Sequence, residues 1–83
     1  MKFSEWLKDR LVKSRTIKNA NQLSLALSTP ERRCNRATVS LWLSGDRYPK
    51  KYYLNKIVDL LHKSKADKKR MILEIWELDD GLK

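Results

Sequence analysis

The chain has one cysteine, one histidine, two glycines and two prolines in 83 residues, and its 10 acids face 19 lysines and arginines. Each shortage excludes something. A single cysteine, Cys34, forms no internal disulfide, so nothing in the chain demands an oxidising compartment. Cys34 and the lone His62 stand far apart and offer no zinc-ligand set, so no metal is expected. There is no glycine-rich phosphate loop and no nucleophile beside a base, so neither an enzyme nor a cofactor is expected. No apolar run approaches a membrane span or the core of a signal peptide, which points to a cytoplasmic setting without a membrane partner. Pro30 and Pro49 are too few to make a linker, and no repeat or low-complexity segment occurs.

What is present fits one small helical domain. Hydrophobic residues make up 41%, including three Trp and three Tyr, enough for one modest core. The formal charge of +9 is unevenly spread. Between Arg32 and Lys56 there are seven cations against one acid, Asp46. Residues 71–82 carry four acids and no base. A basic middle with an acidic end favours a polyanionic partner over basicity kept for solubility alone.

Periodicity predicts five helices. Ser4 is a cap candidate for a first helix to about Arg15, with Leu7 and Leu11 four apart and Phe3 and Trp6 nearby. Asn19 suits a left-handed helix stop, and Asn21 is the expected cap of a second helix with Leu25 and Ala26 facing the core. An alternative register makes Asn19 the cap and Leu23 the core leucine. Pro30 ends that helix. Asn35 caps a third, stopped by Gly45, with Val39, Trp42 and Leu43 on one face and Arg36, Ala37, Ser40, Leu41 and Ser44 on the other. Leu54, Ile57, Val58 and Leu61 follow the i, i+3, i+4, i+7 rule in a fourth. Ser64 and Asp67 have capping-box spacing before a fifth, with Ile72, Ile75 and Trp76 on one face and Asp79 and Asp80 at its end. The run "MILEIWEL" could instead form a dimerising strand, since Ile and Trp favour sheets.

"NQLSLA" from Asn21 to Ala26, "NRATVSLWLSG" from Asn35 to Gly45, and Pro49 followed by Leu54, Ile57, Val58 and Leu61 together resemble the helix-turn-helix of lambdoid phage repressors and Cro proteins. The match covers about Leu7 to Leu61, and Arg15 falls where that family often has an arginine near the end of helix 1. Leu43 stands where the family often has an acid, and the connection before Asn35 is about three residues longer than usual. The resemblance implies an all-α, five-helix, lambda-repressor-like domain with residues 1–63 as the helix-turn-helix core; beyond the match, 64–83 carries more apolar surface than one small core buries and is the expected C-terminal, dimerising helix. It implies a regulator of phage, prophage or plasmid type, most simply a repressor, homodimeric on a two-fold operator in double-stranded DNA.

Under that reading the third helix lies in the major groove. Arg36 reaches guanine, Ala37 and Leu41 touch thymine methyls, and Asn35 and Ser40 hydrogen-bond base edges. Gln22 at the start of helix 2 meets a phosphate, as do Arg32, Arg33, Ser44, Arg47, Lys50 and Lys51. Met71, Ile72, Ile75, Trp76 and Leu78 form the dimer interface. The bland counterparts are solvated arginines, a cap at Asn35 and core packing of Leu41. Cys34 reads as a buried structural thiol, with a redox switch as the lesser alternative because neighbouring arginines lower a thiol pKa. A rival function is a protein-interaction adaptor, antitoxin-like or an anti-repressor, that meets a partner through Ala37 and Leu41. RNA binding is a weaker third reading, since no aromatic pair on a sheet is evident.

Overall fold

Each of five helices contributes one side chain with no exposure at all: Leu7, Leu23, Val39, Ile57 and Met71. The computed structural model describes residues 1–78, and Asp79 and Asp80 lie outside them. The helices are α1 (Phe3–Lys13), α2 (Ala20–Leu27), α3 (Arg36–Ser44), α4 (Lys51–Leu61) and α5 (Lys65–Glu77), with no strand among the described residues. Helix α3 packs on α1 and α2, while α4 packs on α2 and α5. The chain is therefore all-α.

Helix α1 begins at Phe3 rather than after Ser4, with Lys2 in the capping position. Ser4 is buried, and its Oγ lies 3.4 Å from where a Cβ on Gly45 would stand. A Cβ there would meet Ser4 at ordinary van der Waals distance, so space alone does not demand a glycine at this position. Gly45 has φ +86°, a left-handed conformation that a side chain would strain, and its N–H caps carbonyls of Leu41 and Trp42. Helix α1 stops at Lys13, so Arg15 falls outside it and is exposed. The arginine of α1 that finds acids is Arg10.

The second helix adopts the alternative register. Asn19, in an extended conformation rather than a left-handed one, is its cap, and the Asn19 side chain accepts from Gln22 N at 2.9 Å. Leu23 and Leu27, four apart, are buried, whereas Leu25 is 68% exposed and Ala26 is also exposed. An inward leucine pair plus a satisfied cap outweighs the shorter Asn21 start. Asn21 itself is an exposed residue inside α2.

Helix α5 is helical throughout, not a strand. Met71, Ile75 and Leu78 recur at i, i+4 and i+7 and all turn into the core, a periodicity that overrides the sheet preference of isoleucine. Ser64 caps the helix, accepting from Asp67 N at 3.1 Å. The expected apolar face at Ile72, Ile75 and Trp76 is thus split. Ile75 is core, while Ile72 and Trp76 are 39% and 59% exposed.

Candidate nucleic-acid interface

The connection between α2 and α3, residues 28–35, is fastened by its own side chains. Ser28 Oγ donates to Ser24 O at 2.8 Å and accepts from Cys34 N at 3.0 Å. Thr29 and Arg32 close a turn: Thr29 N donates to Arg32 O at 2.8 Å, and Arg32 N donates to Thr29 Oγ1 at 3.0 Å. Serine and threonine hydroxyls favour such local bonds, a signal that "STPERRC" already carries. Cys34 is buried beneath this loop. Burial raises its pKa, which overturns the arginine-activated thiol considered from sequence.

Helix α3 turns Val39 and Trp42 inward, with Leu43 partly covered. Asn35, Arg36, Ala37, Ser40 and Ser44 are exposed, and Leu41 is half-buried at the edge of that strip. The strip is short-chained and neutral apart from Arg36. Asn35 occupies the capping position but makes no side-chain cap bond, so its amide is free to serve another acceptor or donor. The Ser44 hydroxyl is already engaged, donating to Leu41 O at 3.0 Å and lying 2.9 Å from Asp46 Oδ2. It offers less to a phosphate than its position alone suggested.

Clefts border the strip on both shoulders. On the α2 side, Asn21, Ser24, Leu25, Pro30, Arg33 and Arg36 line one of about 690 Å³. On the α4 side, Arg32, Thr38, Trp42, Arg47, Lys50 and Tyr53 line one of about 370 Å³. The consecutive arginines Arg32 and Arg33 therefore address opposite sides of α3. Gln22 is exposed on the first turn of α2, where its Oε1 accepts from Lys18 N at 2.8 Å. Lys51 belongs elsewhere: it lines a groove between α4 and α5 with Leu54, Ile72 and Trp76.

The electrostatics separate by region. Among the described residues, ion pairs join Arg10 to Asp67 and Glu74, Lys13 to Asp9, and Lys68 to Asp59. None involves Arg32, Arg33, Arg36, Arg47, Lys50 or Lys51. Among the described residues these cations have no acid within ion-pair distance.

Of the five residues expected at a dimer interface, Met71, Ile75 and Leu78 are core side chains and unavailable to a second copy. Ile72 and Trp76 remain outside, joined by Leu73 at 62% exposure. Tyr52 and Tyr53 were not singled out from sequence. Their rings meet edge-on with centroids 5.2 Å apart, Tyr53 also packs on Trp42 at 5.3 Å, and Tyr52 receives Arg32. The adjacent "YY" behind a basic turn was the available signal.

No protein-family model, curated protein or solved structure matches this chain. Among the described residues no group of His, Cys, Asp or Glu could hold a metal ion, and no helix is long and apolar enough to cross a membrane.

Proposed function

We propose that the chain is a sequence-specific regulator that binds double-stranded DNA, with α2 and α3 as a helix-turn-helix and α3 as the helix that enters the major groove. The observation that carries this reading is the strip of α3, uncharged apart from Arg36, between two basic shoulders whose cations have no acid partner among the described residues. A groove presents the same pattern in complement: base edges in the middle, a phosphate strand on either side. Arg36, Ala37, Ser40 and Leu41 then read bases, Asn35 adds its amide, and Arg32, Arg33, Arg47 and Lys50 hold phosphates. The role is most simply that of a repressor of phage, prophage or plasmid type.

A nine-residue helix reads few base pairs, and the longest Cα dimension of the chain is 30 Å. A homodimer on a two-fold site would double what is read, with its two α3 helices about 34 Å apart, one turn of duplex. The exposed part of α5, Ile72, Leu73 and Trp76, is the surface that would join them.

A second reading, a protein-interaction adaptor, draws on Leu25, exposed on the α2-side cleft. Fluorescence anisotropy with labelled duplexes separates the two. The regulator binds duplex with a steep salt dependence and discriminates among sequences. An adaptor shows no duplex binding even at low salt, and that result would remove the proposal.

A further inference from the structure

The α4-side cleft carries more than a diffuse positive charge. Three cations reach it from three separate elements: Arg32 from the 28–35 connection, Arg47 from the turn after α3, and Lys50 from the start of α4. Thr38 adds a hydroxyl and Tyr53 an aromatic wall. Lys50 occupies the capping position of α4 without a side-chain cap bond, so the donors at that helix end add to the field. No carboxylate lines the cleft.

Arg32 would ordinarily wander as an exposed loop arginine. Instead its guanidinium carbon lies 4.6 Å from the centroid of the Tyr52 ring, and Lys56 Nζ lies 5.6 Å from the same centroid. A cation over an aromatic face is attracted by the ring quadrupole and keeps its N–H donors free at the edge. The stack therefore fixes where Arg32 points while leaving its charge unneutralised.

We infer that this cleft is a seat for one phosphodiester of the nucleic-acid backbone, held by Arg32, Arg47, Lys50 and Thr38, and that Tyr52 is the positioning residue that holds Arg32 there. A phosphate accepts donors from several directions at once, which three cations on three elements supply. A planar carboxylate is met better by one guanidinium fork. The inference rests on the proposed nucleic-acid reading and assigns a purpose to the long 28–35 connection, which carries Arg32 across the start of α3 to α4. Arg33, in the opposite cleft, takes no part.

The test measures log K against log salt on a duplex of random sequence, which requires no operator. The proteins are wild type, Arg32→Gln, Tyr52→Leu, Tyr52→Phe and the Arg32→Gln/Tyr52→Leu double variant, each checked for helical content. Arg32→Gln should flatten the slope by up to about 0.9, one phosphate's worth. Tyr52→Leu should flatten it similarly, Tyr52→Phe should keep the wild-type slope because the ring remains, and the double variant should match the single ones. A wild-type slope in Tyr52→Leu, or additive losses in the double variant, overturns the inference.

The fate of the regulator reading is separate. Duplex binding without sequence preference would defeat that reading and leave the slopes above as the measure of this seat. Should duplex binding be absent, thymidine 5′-monophosphate replaces it as the probe, followed by amide shifts at Thr38, Arg47 and Lys50. Shifts there would assign the cleft to a free nucleotide and overturn the backbone source, and their absence would overturn the seat altogether.

Discussion

Arg10 Nη2 donates to Glu74 Oε1 at 2.6 Å, across 64 residues of sequence. The other oxygen of that carboxylate accepts from Trp6 Nε1 at 3.0 Å, and Arg10 Nη1 reaches Asp67 Oδ1 at 3.4 Å. With its side chain only 14% exposed, Arg10 is a half-sheltered rivet between α1 and α5. Arg10→Met should cost about 1–3 kcal/mol, because it leaves the carboxylates of Asp67 and Glu74 each with one partner fewer. Denaturant titration measures the loss. Hydrogen exchange should show it concentrated in α5 amides, and uniform loosening across the chain would speak against the rivet.

Asp67 gives the same junction a pH dependence. Its carboxylate accepts from Lys63 N at 2.9 Å, and this bond, with Arg10 beside it, lowers the pKa below the ordinary value near 3.8, although burial opposes the shift. The unfolded chain thus binds the proton more readily than the folded one. The contribution is complete above that ordinary value and disappears as pH falls through the lower folded pKa. Acid titration of stability should be shallower below pH about 4 in Asp67→Asn than in wild type. Identical acid limbs in the two proteins would count against it.

Much of this fold was legible because it depends on spacing. Leu54, Ile57, Val58 and Leu61 repeat as a helix stripe and are all buried, and Gly45 is a stop that only its backbone freedom explains. The start of the second helix is ambiguous in the sequence because two asparagines, Asn19 and Asn21, both suit a cap. Which leucine turns inward depended on packing against α3 and α4 that the local sequence does not contain. The split of α5 has a similar origin, since Met71 and Ile72 are adjacent and equally apolar, and only the docking on α4 chooses between them. On the candidate site, the charges around α3 were visible in composition. The separation of Arg32 from Arg33 was not, because it depends on the turn from Thr29 to Arg32 and on a ring in α4.

Two residues of α5 should behave oppositely. Met71 has no exposure, so Met71→Ala should destabilise the chain by about 2–5 kcal/mol. Trp76 is 59% exposed, so Trp76→Ala should change stability by less than about 1 kcal/mol while converting a dimer to monomers in sedimentation. A wild-type protein that sediments as a monomer both free and on DNA would discard the α5 interface.

Cys34 should be slow to alkylate. Its burial and raised pKa leave little thiolate at neutral pH, so iodoacetamide should modify it at a rate limited by opening of the 28–35 connection. Ser28→Ala removes the hydroxyl that accepts from Cys34 N and should speed the modification. Equal rates in the two proteins would show that the loop is held by something other than Ser28.

The most direct measurement is selection of bound duplexes from a random pool, with wild type and Arg36→Ala in parallel. Wild type should enrich a two-fold symmetric motif with half-site centres about one helical turn apart. Arg36→Ala should lose about 1–3 kcal/mol on that motif and relax one guanine position in each half-site. A wild-type protein that enriches no sequence, or an Arg36→Ala variant that retains every position of the motif, would contradict the reading of α3 as the helix that reads DNA.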